Sequence, residues 1–373
     1  MPVADLVRRV GRATGRLDLL GGVADYSGAL VLETPTVAAT VVTLDAESEF
    51  VVGPVCFRPE ELSALALLPY PEVRAALADV PKWTRYPIGV ALVLVRHGVI
   101  EAPTGRLAIE SDVPAGGGVS SSAALEVATA RALGADLPPL ELAARCQEAE
   151  NEVVGAPCGI MDQVTVTAGE AGAILPILCR PASIDPAVSL PDGYEVVGWP
   201  TGATHDVSGV PYGRARAAAF MGKRIAEEVA GRQWAWVSET PSELLAALPR
   251  ELSGREFLDR WGHVDDTLSA VDADLDYPVR AAASFGVDEH ARSTVAVAAL
   301  RRGDVGALAQ LMAESHAGYD AMGLGHPRAD AVVRQACSRP GVVGARSSGG
   351  GCGGTVAVLC EVGALDDVDD LIR

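Results

Sequence analysis

Three consecutive glycines, Gly116 to Gly118, followed after one valine by three serines, Ser120 to Ser122, stand between two regular patterns. Before them Leu107 and Ile109 alternate with Ala108 and Glu110, the period of a short strand. After them Ala123 to Leu133 is rich in Ala, Leu and Glu without a breaker, which suits a helix. The order strand, glycine loop, helix constrains the fold more than any other stretch. A helix beginning near Ser120 leaves its first N–H groups unpaired at its positive end, and glycine lets the backbone come close to an anion. No Gly-Lys-Ser/Thr follows, and there is no Gly-x-Gly-x-x-Gly with a later acidic partner. On this stretch alone a phosphate loop and a turn with a serine N-cap stand level.

The chain has 373 residues, 49% of them hydrophobic, enough for a large core and two domains. Its formal net charge of −19 argues against nucleic acid, which needs clustered Lys and Arg; the one local basic cluster is Arg8, Arg9, Arg12 and Arg16. Seven scattered cysteines without Cys-x-x-Cys fit reduced thiols in a cytoplasmic protein, and no His-x-x-x-His suggests zinc. No stretch reads as a signal peptide or a membrane span.

Ala13 to Pro35 reads as strand, turn, strand; Thr36 to Leu44 and Glu49 to Phe57 add strand-like runs, and Pro59 to Ala78 looks helical with breaks at Pro69 and Pro71. Pro138-Pro139 opens a helix to about Val154. In it Ala143, Cys146 and Glu150 share a face. A carboxylate on an apolar stripe calls for a partner or a metal; a frayed helix with solvated glutamates is the alternative. The connector Pro181 to Asp192 marks a domain boundary, giving domains 1–183 and 184–373. Helical patterns follow at 212–230, 241–249, 279–301, 304–318 and 327–338, and Gly344 to Leu359 forms a second glycine loop leading into a strand.

Three motifs now stand in order: Gly15-Arg16 with Asp25-Tyr26, the Gly116 to Ala123 loop, and Ser348-Gly349-Gly350-Gly351-Cys352-Gly353-Gly354-Thr355. Together they resemble the superfamily of galactokinase, homoserine kinase, mevalonate kinase and phosphomevalonate kinase, the GHMP kinases. Gly15 to Gly28 and Pro157-Cys158-Gly159-Ile160-Met161-Asp162-Gln163 resemble its galactokinase branch. The resemblance implies an α+β fold of two domains, an N-terminal S5-like and a C-terminal ferredoxin-like one, with the active site in the cleft between them. It implies ATP and Mg2+, a small-molecule sugar as substrate, and neither nucleic acid nor membrane as partner. Asp162 is then the catalytic carboxylate and Arg16 its charged neighbour. Ser122 and Glu150 become the Mg2+ ligands. The glycines 116, 117 and 118, the serines Ser120 and Ser121, and Gly349, Gly350 and Gly351 become nucleotide contacts. Trp83 and Tyr86 resemble an aromatic pair near adenine, though core packing explains them equally well.

The sugar loop departs from the family. Galactokinases carry Gly-Glu-His-Thr-Asp-Tyr, whereas this chain has Gly21-Gly22-Val23-Ala24-Asp25-Tyr26. Gly22 and Val23 thus replace the polar pair that faces the C6 hydroxymethyl, while Asp25, Gly159 and Tyr212 remain as sugar contacts. The altered loop is similar to that of plant L-arabinokinases, which implies L-arabinose, a sugar lacking C6, with galactose as the alternative. On this expectation Gly22→Glu moves preference toward galactose. A non-catalytic ATP and sugar sensor on the same fold is the alternative from another class.

Overall fold

The computed structural model describes residues 8–203 and 210–373. They form two compact units, each assembled from separate stretches of chain: 8–15, 36–115 and 120–168 in the first, and 16–35, 116–119, 169–203 and 210–373 in the second. The strands Arg9–Leu20 and Leu30–Asp45 each contribute residues to both.

In the first unit Thr40–Asp45 pairs antiparallel with Arg106–Ser111, and Phe50–Val52 lies parallel to Gly105–Leu107 while pairing with the short strand Val55–Phe57. Helices Pro59–Ala66, Tyr70–Ala76, Arg85–Arg96, Ser121–Leu133, Pro139–Glu148 and Met161–Ala168 build the rest. The break between Ala66 and Tyr70 falls at Pro69, whereas Pro71 sits in the first turn of the second helix, where no N–H is needed. Arg85–Arg96 is apolar on nearly every side, so Ile88 to Leu94 is buried throughout. It packs with Val42, Phe50, Leu107, Val127 and Cys146 in one apolar core, where each buried aliphatic side chain contributes roughly 1.5–3 kcal/mol.

In the second unit Tyr194–Pro200, Thr355–Glu361 and Val342–Ser347 form an antiparallel sheet with Thr355–Glu361 in the middle. Leu30–Glu33 pairs with Leu175–Leu178 of the strand Ala173–Cys179. The long helices are Val210–Ala230, Val279–Arg301, Ala307–Ala321 and Pro327–Cys337. Small residues on Val210–Ala230, including Ala215, Ala217, Ala218 and Ala219, let it sink into an apolar cluster with Tyr26, Phe257 and Phe285. The apolar segment Val164 to Leu178 divides into the end of a helix and a strand. No disulfide joins any of the seven cysteines among the described residues. No helix of the described residues is long and apolar enough to cross a membrane.

Candidate active site

The helix Ser121–Leu133 starts without a serine cap. Ser120 adopts a left-handed conformation at φ 61°, makes no side-chain cap bond, and its buried hydroxyl finds no hydrogen-bond partner among the described residues. That excludes the plain turn with an N-cap and leaves a donor without an acceptor at the helix entry. Ser121 and Ser122 follow, lining a cavity of about 510 Å3 with Trp83, Tyr86, Thr40, Ile109 and Leu125. Trp83 is 46% exposed, so core packing does not account for it.

Behind the serines lies a group of acids. Helix Pro139–Glu148 passes into a π-helical turn, Ala149–Val154, closed by the N–H of Gly155 donating to the carbonyl of Glu150 at 3.0 Å. Single π turns of this kind recur at functional sites. Here the turn leaves Glu150 buried instead of on a frayed, solvated end. Gln163 Nε2 donates to Glu150 Oε2 at 2.7 Å and to Glu126 Oε2 at 3.0 Å. The Cys158 thiol donates to the same Glu150 oxygen at 3.2 Å, and Ser122 also hydrogen-bonds Glu150. Burial, and then the nearby charge of Asp162, push the Glu150 carboxyl up to about 7. Burial and the Glu150 charge push Glu126 up as well. Burial likewise raises the Cys158 thiol, keeping it protonated.

This unit therefore holds Ser122, Glu150 and Asp162 together, with no cation among the partners of Glu150 named above. Among the described residues no group of three or more His, Cys, Asp or Glu is placed to bind a metal alone. One carboxylate and one hydroxyl, in an excess of negative charge, fit Mg2+, which keeps water and phosphate oxygens as its other ligands. Asp162 is the second residue of helix Met161–Ala168 and half-buried, and Gly159 is buried in the segment leading to it.

The second unit carries Arg16, 2% exposed. Its Nε lies 3.5 Å from Asp18 and 3.4 Å from Glu33, and Nη1 donates to the Gly118 carbonyl at 2.8 Å. Burial opposes the charge on Asp18, but Arg16 and Arg346 beside it hold its carboxyl below the usual range. Gly118 and Gly349 approach so closely that a Cβ on Gly349 would meet the Gly118 carbonyl oxygen at 2.7 Å. Gly117 is fixed by Thr355 Oγ1, which donates to its carbonyl at 2.7 Å. The middle and late glycine segments of this unit are thus packed on each other through Gly116–Val119 and Ser348–Gly354. Gly349 gives its N–H to Asp18 at 2.6 Å, while Gly350 and Gly351 are buried in the same loop.

Gly22 to Ser27 forms a buried 3-10 turn. Asp25 is 3% exposed and accepts from the Tyr26 N–H. Tyr212 meets the Tyr26 ring edge-on at 5.9 Å, and Arg216, doubly bonded to Asp266, sits over that ring. At Gly22, φ is +50° and a Cβ would lie 2.0 Å from Tyr319 Oη and 2.9 Å from Arg346 Nη2. A glutamate here would therefore drive into a buried tyrosine, so the expected shift of preference from Gly22→Glu is withdrawn. Asp18, Glu33, Glu126, Gln163, Tyr319 and Arg346 were absent from the sequence-based site. Glu126 had one signal: it lies among Ala123, Ala124, Val127 and Ala130 in a helix apolar on most sides.

Two family models match, the GHMP kinases N terminal domain over residues 85–170 and the GHMP kinases C terminal domain over residues 296–369. The galactokinase of Chloroflexus aggregans is 34% identical over 366 residues, spanning 96% of this chain and 85% of that protein. This chain belongs to the galactokinase branch of the GHMP kinases. The sugar kinase also aligns with the L-arabinokinase of Arabidopsis thaliana at 30% identity over 94% of its own length, but it spans only 42% of that plant protein. The Lactococcus lactis galactokinase complexed with galactose superposes on this kinase with a TM-score of 0.76, covering 97% of this chain and 88% of that one at 20% identity. That likeness confirms the two-domain α+β kinase fold.

Proposed function

We propose that this kinase transfers the γ-phosphoryl of ATP to the anomeric hydroxyl of L-arabinose, giving L-arabinose 1-phosphate, with residues 1–183 and 184–373 as its two domains. The reading of substrate rests on the Gly22–Ser27 turn. Its first two residues offer no polar side chain, and Tyr319 takes the space beyond Gly22. A sugar with a 6-hydroxyl would lose hydrogen bonds there, and a missing bond in a closed polar site discriminates strongly.

Asp162 accepts the proton of the anomeric hydroxyl as the O–P bond forms, a role a positioned carboxylate fills with a gain of roughly 10²–10⁴ in rate. Arg16 keeps the glycine segment at Gly118 in place and adds positive charge near the transferred group. Ser122 and Glu150 hold Mg2+, which when bound offsets the charge on the nucleotide phosphates. The Ser120 hydroxyl and the N–H groups of the Gly116 to Gly118 segment take phosphate oxygens. Trp83 and Tyr86 receive the base, and Asp25 and Tyr212 the sugar ring.

Galactose is the second reading, favoured by the galactokinase relative of which the chain spans 85%. Coupled ADP-release assays over pentoses, hexoses and uronic acids decide between them; a kcat/KM higher for galactose than for L-arabinose would overturn the first reading. Asp162→Asn is expected to bind ATP and lose about 10³-fold in kcat. A wild-type protein that binds both ligands without turnover would make it a sensor instead.

A further inference from the structure

Tyr319 joins two loops of the second unit through a single oxygen. It is fully buried, near the end of helix Ala307–Ala321. Its hydroxyl donates to the Gly349 carbonyl at 2.7 Å and accepts from the Val23 N–H at 3.2 Å. Val23 belongs to the Gly22–Ser27 turn and Gly349 to the late glycine loop. Asp18 ties the second loop further, taking the Gly349 N–H. The tyrosine ring is held by Phe285, edge-on at 5.5 Å, and by the Arg346 guanidinium 5.2 Å from its centre.

A phenol hydroxyl has one proton to give, and it is committed to Gly349. Neither loop can shift away from the tyrosine without breaking its bond to that oxygen and leaving a buried backbone group unpaired, which is costly. The same oxygen stands 2.0 Å from where a Cβ on Gly22 would be. The turn is therefore shaped from behind by the tyrosine and not by any side chain of its own at residue 22.

We infer that Tyr319 is a positioning residue that fixes the Gly22–Ser27 turn and the Ser348–Gly354 loop in one shared arrangement, and that residue 22 is glycine because the Tyr319 hydroxyl fills its place. The inference deepens the proposed function and rests on the assignment of the turn to the sugar and of the loop to the nucleotide. Tyr319 touches neither reacting atom in that assignment, so its loss acts on how well the loops are preorganised. Binding then weakens for both ligands together, although each loop belongs to a different one.

The test compares wild type, Tyr319→Phe, Gly22→Ala and the double variant, measuring melting temperature, kcat, and KM for the preferred sugar and for ATP. Tyr319→Phe keeps the ring and loses both hydrogen bonds; each KM should rise about fivefold or more while kcat changes less. Gly22→Ala should fail badly alone and be partly rescued by Tyr319→Phe, because the clashing oxygen is gone. A Tyr319→Phe protein with a lower melting temperature and unchanged KM values would overturn the inference, as would singles whose effects simply add. So would a Gly22→Ala protein indistinguishable from wild type, even if Tyr319→Phe did not fold. Absence of sugar turnover in wild type would instead overturn the kinase reading, and the melting-temperature cycle between residues 22 and 319 would still test the packing claim.

Discussion

Glu126 and Glu150 share one hydrogen-bond donor, the Nε2 of Gln163, which lies 3.0 Å from the first carboxylate and 2.7 Å from the second. Two buried acids held on one neutral amide group cannot both ionise cheaply. Burial raises both carboxyls; the Glu150 charge raises Glu126 further, and the Asp162 charge raises Glu150 further. The arrangement stores an electrostatic deficit that a divalent cation at Ser122 and Glu150 would relieve.

The sign of its pH dependence follows. Glu150 sits near 4.5 when unfolded and about 7 when folded, so the folded protein binds the extra proton between those values. The stability it contributes is complete below pH 4.5 and is lost as pH rises through about 7. The melting temperature of metal-free protein should fall over that window, MgATP should flatten the fall, and Glu150→Gln should remove much of it. An unchanged slope in Glu150→Gln would show that another group titrates.

Trp83 is the most exposed aromatic wall of the cavity bounded by Ser121 and Ser122. Stacking on a base contributes about 0.5–1.5 kcal/mol beyond area. Trp83→Ala should therefore raise the KM for ATP about three- to tenfold while leaving the KM for sugar and the melting temperature nearly unchanged. Initial-rate kinetics at saturating sugar measure this; a change confined to sugar KM would remove Trp83 from the nucleotide site.

Arg216 is fully buried and donates to both oxygens of Asp266, at 2.7 and 2.9 Å, beneath the Tyr26 ring. Removing one partner leaves a buried charge, at a cost of about 3–5 kcal/mol. Asp266→Ala should lower denaturant stability by that order and loosen the Tyr26 and Tyr212 pair, raising sugar KM in whatever protein remains folded. Urea unfolding gives the first number; a loss below about 1 kcal/mol would mean that water compensates the guanidinium.

The glycine loop, the long helices and the place of Glu150 on an apolar stripe were legible because each rests on local rules, glycine geometry and helical period; the pairing of Ser122 with Glu150 at a metal was implied only by the family resemblance. The second ring of groups was not. Asp18 lies between Leu17 and Leu19, and Glu33 between Leu32 and Thr34, and an acid inside an apolar strand was the available signal. Arg16 lies against both; the second partner of Asp18 could not be read, since Arg346 is more than three hundred residues away along the chain. Gly22 was read as a loss of side chain and not as room for Tyr319, because only folding brings positions 22 and 319 to the same point. The π turn escaped for a related reason, as a period of 3.6 cannot reveal where one residue is added to it.

That added residue has a consequence for how the chain tolerates change. Point substitutions within Ala149–Val154 leave the count of residues intact. Deleting one residue there would let an ordinary α-helix close and would turn everything after it by about 100° relative to what comes before. Glu150 and the segment leading to Asp162 would then point in different directions. The spacing between them is therefore a length constraint, enforced on insertions and deletions even where the identity of the intervening side chains is free to drift.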